Sequence, residues 1–414
     1  MKKILILGGA SVHYKLVEAA KEMGLYTIVT DYLEDSPAKK IADESWMLNI
    51  MDVDAIVEKC RESNVEAVIA AWLDPCQRPY YEISNKLGVP CYGTWEQFFK
   101  MTDKHAFKQM CRENGVDIIP EYSENDLDQV EYPVFVKPVD SRGSRGQTVC
   151  YDREALEKAI VYAKSESSNG DILIEKYMKG AEEFQVTYFF VNGKPYLVRT
   201  VDSYGGSEEK HLEKVVACAI SPSKHTDLYI RTAHKNVIKM FTNLGYKNGP
   251  IFMQGFVDNG VFRFFDPGLR FPGVDYERIY NKVYDISLMK VLLGIALEGK
   301  CPEGFELPED GVNIKGKRAA VLFPTVKAGK VGKVCGLDEL TATDPVVSVW
   351  KRCDAGDEIG WCYNVNQRSL EADILCDDTQ QLKACIKNFL DKFKVYDTDG
   401  NDMTYEIFDT ERIV

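Results

Sequence analysis

The chain has 414 residues, 45% of them apolar and 28% charged, with a formal net charge of −13. Such a length exceeds what one hydrophobic core usually organises, so two or three domains are expected. The acidic balance excludes a broad nucleic-acid-binding face, because no sustained basic surface exists to neutralise phosphates. KILILGG opens the chain as a continuous apolar run ended by glycines, the pattern of a buried parallel strand, and VHYKLVEAAKEMG then has helical spacing. YTIVTD reads as a second strand, DVDAIVEKCRESN as another helix and VEAVIAAW as a third strand, together a doubly wound α/β unit. Its first turn, GGASVHY, is not GxGxxG, so Asp31 at the end of the second strand reads as a structural turn acid ahead of a dinucleotide ligand.

Thr102 is placed to cap the helix TDKHAFKQMCRENG, which Gly115 ends. From 118 to about 300 the pattern changes to strands joined by hairpins: YPVFVKP, GQTVCY, DILIEKY, EFQVTYFFVNGKPYLVRT and PIFMQGFVDNGVFRFFD. VNGK and VDNGV are Asn-Gly turns, and helices are expected near 153–166, 226–244 and 277–298. This is an α+β region with two antiparallel sheets. Beyond about 310, the short strands of KRAAVLFPTVKAGKV and GDEIGWCYN precede the helix TQQLKACIKNFLDKF, a span the size of a small third domain.

The longest apolar runs, VEAVIAAWL and VLLGIAL, are far too short to cross a bilayer. Lys2 and Lys3 precede ILILGGA, but that run breaks at Ser11 and His13 without a cleavage-like region, so a cytoplasmic protein is expected. Twelve cysteines are scattered with no CxxC and five histidines with no HxxxH, which argues against zinc or a disulfide framework. DTDGNDMTYE has its glycine at the fourth position and no glutamate at the twelfth, so it is not a calcium loop.

Four segments share one logic if ATP is the ligand. In VFVKPVDSRGSRG a strand delivers Lys137 into a loop whose Ser141, Arg142, Gly143, Ser144 and Gly146 let backbone N–H groups approach phosphates. Lys104, early in the linker helix, is a second phosphate lysine, although alone it reads as a solvated helix residue. ILIEKYMKGAEEF is a strand ending in a polar hinge, where Glu175 and the backbone of Lys176, Tyr177 and Met178 could meet a flat heterocycle and Glu183 a ribose. In PIFMQGFVDNGVFRFFDPGLRFPG, Gln254 and Asp266 on successive strands offer oxygens to Mg²⁺, and Arg270 just beyond could steady a transferring phosphoryl group. An Asp-Pro-Gly turn at Asp266 is an equally good local reading.

In content and order these segments resemble the ATP-grasp superfamily over nearly the whole chain. VKPVDSRGSRGQTV is similar to the phosphate lid of the formate-dependent glycinamide ribonucleotide transformylase type, and IEKYMKG to the adenine hinge of biotin carboxylases. The likeness extends to amino-acid ligases. It implies that Glu175 faces the adenine amine, that the backbone of Lys176 and Met178 reads the ring edge, that Glu183 binds ribose and that Lys104 reaches the phosphates. It also implies an N-terminal α/β domain over 1–101, an ATP-grasp domain of two α+β lobes over 102–309 (lid lobe about 118–178, larger lobe about 179–309) and a small C-terminal α+β domain over 310–414.

The activity so implied is ADP-forming ligation of a small-molecule carboxylate to an amine or other nucleophile through an acyl phosphate, with ATP and Mg²⁺, or Mn²⁺ in its place. Neither nucleic acid nor membrane is a partner, and a homodimer fits the resemblance. In SYGGSEEKHLEKVV, Lys214 most closely matches a basic residue near the acyl phosphate, with spacing to His211 off by one. One departure stands out. The family's usual acid, then Glu-x-Asn-x-Arg, is here Gln254, then Asp266, Gly268 and Arg270, so two formal negative charges become one. A nucleotide-binding protein without catalysis is therefore an alternative; a pyridine-nucleotide oxidoreductase built on 1–100 is another, opposed by the missing GxGxxG.

Overall fold

Apolar runs become parallel strands at the start of the chain and antiparallel hairpins after it. The computed structural model describes residues 1–139, 146–210, 212, 215–274, 276–341, 345–362 and 364–414. β1 (Lys3–Leu7), β2 (Tyr26–Thr30), β3 (Glu44–Trp46) and β4 (Ala67–Ile69) form a parallel sheet ordered β3-β2-β1-β4. β1 and β4, beside the helices, are apolar almost throughout, whereas β3 buries only Trp46. α1 (Tyr14–Glu22), α2 (Val53–Glu62) and α3 (Asp74–Leu87) bury Leu16, Val17, Ile56, Val57, Tyr80 and Ile83 in the same core.

α4 (Trp95–Lys100) and α5 (Lys104–Asn114) follow. Asp103, not Thr102, caps α5: its carboxylate accepts from Ala106 N–H at 2.8 Å, while the Thr102 hydroxyl donates to Phe98 O at 2.8 Å. Gly115 ends α5 in the left-handed region at φ +68°.

β5 (Glu121–Tyr122), β6 (Val134–Pro138), β7 (Thr148–Cys150), α6 (Arg153–Glu166) and β8 (Ile172–Lys176) build a small lobe, with the antiparallel order β5-β8-β6-β7. Its separate core is Val134, Val136, Cys150, Leu156, Ala159, Ala163 and Ile174. Strand alternation turns Phe135, Lys137 and Glu175 to the other face.

β9 (Glu182–Val191), β10 (Lys194–Gly205), β11 (Val216–Ser221), α7 (Thr226–Thr232), α8 (His234–Asn243), β12 (Gly249–Asp258) and β13 (Val261–Gly268) come next, then α9 (Glu277–Tyr284) and α10 (Leu288–Glu298). The two long helical stretches are thus each broken, at Ala233 and at Asp285, which takes φ +57°. Both Asn-Gly turns form with positive φ at each residue, 50° and 88° at Asn192 and Gly193, and 50° and 82° at Asn259 and Gly260.

Next come β14 (Arg318–Leu322), β15 (Thr325–Val326), β16 (Gly329–Cys335), α11 (Leu337–Thr341), β17 (Val346–Lys351), β18 (Glu358–Ile359), β19 (Leu370–Cys376) and α12 (Thr379–Lys392), then β20 (Lys394–Asp397) and β21 (Thr404–Glu406). β14, β19 and β17 extend the central strands into one eight-stranded sheet, β13-β12-β9-β10-β11-β14-β19-β17. One face of its far end packs with α12 through Cys218, Ile220, Leu322, Ala372, Ile374, Leu382, Ile386 and Phe389. All twelve cysteines are free and none is exposed. Among the described residues no helix is long and apolar enough to cross a membrane.

Candidate functional site

The antiparallel register sets Glu175 of β8 opposite Phe135 and one diagonal step from Lys137 of β6. Lys137 Nζ lies 2.5 Å from Glu175 Oε2. Glu175 Oε1 accepts from Lys108, which also donates to Glu121 Oε1 at 2.7 Å, and Arg112 closes on the other Glu121 oxygen. Lys108 and Glu175 are each 1% exposed, so this is a buried ionic ladder joining α5, β5, β8 and β6. Burial alone would push the Glu175 carboxyl up, but Lys137 and Lys108 outweigh it and hold the group below the ordinary range. Glu175, expected to face a heterocycle, is instead committed to two lysines, because a buried carboxylate is stable only when paired.

Lys104 sits four residues before Lys108 on α5, hence on the same helix face. It is half-buried and makes no ion pair or hydrogen bond among the described residues. Burial, then the Lys137 charge, pushes its ammonium down, while Asp266 and Glu175 act the other way.

Asp266 belongs to the end of β13. A bulge after Gln254 puts that side chain opposite Asp266, and Gln254 Nε2 donates to Glu183 Oε1. Burial raises the carboxyl of Glu183, with the Gln254 bond opposing, and it raises that of Asp266 as well. At Asp266, Arg270, Lys104 and Lys137 pull the carboxyl down and Asp74 pushes it up, so these five charges share one electrostatic neighbourhood. Arg270 forks onto Asp74 at 2.5 and 2.6 Å and lies over the Phe252 ring, 4.6 Å from its centroid. Gly268 permits that pose: a Cβ there would stand 2.5 Å from Phe252 Cε1 and 3.1 Å from Arg270 Cγ.

Ser141, Arg142, Gly143, Ser144 and Lys214 lie outside the described residues. Gly146 is described, at φ +73°, with a would-be Cβ 2.5 Å from Pro138 Cγ, so the chain returns tightly against the end of β6. At the hinge, the Lys176 N–H donates to Pro120 O at 2.9 Å, because β5 pairs with β8. Tyr177 N–H is likewise taken, by Pro133 O at 2.9 Å, whereas Met178 N–H has no partner among the described residues. Asp31 accepts from Gly9 N–H at 2.8 Å and Leu33 N–H at 2.9 Å, which makes it a turn acid.

Sequence reasoning missed Asp74, Lys108 and Glu121. The i,i+4 spacing of Lys104 and Lys108 could have flagged the second lysine; nothing local links Asp74, at the start of α3, to Arg270. A cavity of about 640 Å³ lies elsewhere, between α1, α9 and β17, with Glu18, Glu22, Glu277, Arg278 and Lys282 in its wall.

Gln254 and Asp266 would fit Mg²⁺ as a lean donor pair, two oxygens of which one is charged. Mn²⁺ takes the same donors. Among the described residues no group of three or more His, Cys, Asp or Glu is arranged to hold a metal.

Residues 103–263 match the family model of the carbamoyl-phosphate synthase L chain, ATP binding domain. The chain is 26% identical over 213 residues to the formate-dependent phosphoribosylglycinamide formyltransferase of Sulfurisphaera tokodaii, covering 48% of this chain and 53% of that one. It thus spans about half the length of the curated relatives it matches. Its fold is that of phosphoribosylglycinamide synthetase from Anaerococcus prevotii, with a TM-score of 0.77 at 18% identity over 96% and 99% of the two chains. The same fold occurs in a biotin carboxylase–ATP analogue complex from Campylobacter jejuni, with a TM-score of 0.76 at 21% identity over 97% and 92%.

Proposed function

Since the chain belongs to the ATP-grasp superfamily, we propose that it is an ATP-dependent, ADP-forming ligase joining a small-molecule carboxylate to an amine or other nucleophile. The observation that carries this reading is the convergence of Lys104 and Lys137 from one side with Asp266 and Arg270 from the other. Lys137, anchored by Glu175, and Lys104, unpaired among the described residues, hold the triphosphate together with the segment Ser141, Arg142, Gly143, Ser144 and Gly146. The nucleobase meets Met178 N–H, and Glu183 accepts from the ribose. Asp266 and the amide oxygen of Gln254 would hold Mg²⁺, which would supply charge screening for the triphosphate.

The substrate carboxylate attacks the γ-phosphorus, the bond to the bridging oxygen of ADP breaks, and an acyl phosphate forms. The nucleophile then attacks the acyl carbon, phosphate leaves and the nucleophile loses its proton. Arg270, with Lys214, steadies the acyl phosphate, and the protein's part is positioning and charge stabilisation. The test is ADP release from ATP and Mg²⁺ in a screen of carboxylate and amine pairs. Release that depends on both partners and is lost in Lys137→Ala supports the reading; turnover unchanged in that variant sinks it. A second reading, nucleotide binding without turnover, is favoured by the single formal charge at Gln254 and Asp266, and tight ATP binding with no ADP formed across the screen would select it.

A further inference from the structure

Two of the chain's thiols meet where β19 gives way to α12. Cys376 is the last residue of β19 and is 4% exposed; Cys385, in the second turn of α12, is half-buried. Strand alternation puts Cys376 on the face of Ala372 and Ile374, the face that α12 covers. On α12, Cys385 follows Leu382 by three residues and precedes Phe389 by four, so it lies on the stripe that packs against that face. The link between strand and helix is short and pinned. Asp378 caps α12 by accepting from Gln381 N–H at 2.8 Å, Gln381 Oε1 accepts from Asp377 N–H at 3.3 Å, and Lys317 pairs with Asp377. Helix and strand are thereby held in one relation, and the two thiols with them.

The two thiols differ in reach. Cys385 can be met from solvent. Burial, then the Cys385 thiol hydrogen-bonded to it, pushes the Cys376 thiol up to about 12, with the charges of Asp377 and Asp378 adding to the rise. The thiolate is the nucleophile toward a peroxide, so oxidation begins at the accessible cysteine and not at the one kept protonated. A sulfenic acid formed beside a second thiol condenses with it to a disulfide. Neither cysteine belongs to the candidate nucleotide site, since β19 lies toward the opposite end of the eight-stranded sheet from β12 and β13.

We propose that Cys376 and Cys385 are a redox-active dithiol that hydrogen peroxide closes into a disulfide, tying α12 to β19. The Cys385 sulfur attacks one peroxide oxygen, the O–O bond breaks, and the departing hydroxide takes the thiol proton as water, leaving a sulfenic acid. The Cys376 sulfur then attacks the sulfenic sulfur, the S–O bond breaks, and hydroxide leaves with the Cys376 proton as a second water. Two thiols have lost two electrons in all, and one peroxide has gained them. This chemistry does not depend on the ligase reading.

The test takes the reduced full chain, freed of reductant, through a titration with hydrogen peroxide, then alkylates the remaining thiols in denaturant and maps tryptic peptides without reduction. Lys383 lies between the two cysteines, so trypsin puts them on separate peptides and a disulfide shows as a linked pair. Wild type is expected to lose two alkylatable thiols, to yield that linked pair and to regain both thiols with dithiothreitol. The folded chain should form the link at least about tenfold faster than the chain unfolded in urea. Cys385→Ser should abolish the link and leave Cys376 reduced, whereas Cys376→Ser should leave Cys385 as a sulfenic acid that dimedone traps. Cys362→Ser, at another half-buried thiol, should change neither result. No linked pair from wild type, Cys385 carried on to a sulfinic acid without it, a link from Cys385 to any other cysteine, or equal rates in the folded and unfolded chain overturns the proposal and leaves both thiols as packing groups only. Should Cys376→Ser not fold, Cys376→Ala, which adds no polar atom to the core, and Cys385→Ser at the more open position decide the matter.

Discussion

On the small-lobe side of the site, Lys108 and Lys137 share Glu175 inside a ladder that Glu121 and Arg112 extend. On the facing strands, Asp266 stands between a neutral Gln254 and a Gly268 with no side chain, and its carboxyl is raised by burial. The first side therefore carries its own counter-charge and is rigid before any ligand arrives. The second leaves charge to be completed by what binds. In the proposed ligase, positioning of phosphate would depend on a prebuilt network, whereas metal binding would depend on the nucleotide.

The comparison breaks most visibly at Lys137. Its change to alanine is expected to lower ADP release about 10²-fold or more, read by a coupled assay, with folding retained because Lys108 still pairs with Glu175. Glu175→Gln attacks the ladder itself. Leaving Lys108 buried with only Glu121 should cost about 3 kcal/mol of stability in urea unfolding, and the double change Lys108→Met with Glu175→Leu should cost less than either single one.

Asp266→Asn tests the lean side by pH. Burial raises the folded carboxyl above its ordinary value, so ionising it costs the folded state; that cost is absent well below pH 4 and complete once pH exceeds the raised value. The variant should melt at a higher temperature than wild type at neutral pH, show no gain in acid, and lose Mg²⁺-dependent turnover. The smallest effect is expected from Gln254→Glu. A second charge beside Asp266 should lower by several-fold the Mg²⁺ concentration for half-maximal ADP release; an unchanged dependence would show that this position does not meet the metal.

The alternation VFVKP was enough to aim Lys137, since strand period and a buried valine pair leave one face for it. Asn-Gly dipeptides likewise announced both hairpins. Glu175 was expected to face a heterocycle because local sequence cannot reveal that α5 delivers Lys108 to it, and Asp74 was invisible as a partner of Arg270 because α3 and the end of β13 meet only in three dimensions. That Pro120 O takes the Lys176 N–H was hidden for the same reason: β5 is two residues long, too short for any period to announce.

The eight-stranded sheet carries a consequence for how the chain is made. β11 leaves the ribosome with one neighbour, β10, already present, but its other edge is covered only when Arg318–Leu322 arrives, and β14 in turn waits for β19. A nascent chain halted after the helices of the larger lobe would present a bare, apolar strand edge, the usual template for edge-to-edge association. Synthesis ending at Lys317 should therefore give an aggregation-prone product, and recovery of solubility on supplying the missing segment in trans would mark strand completion as a late step of folding.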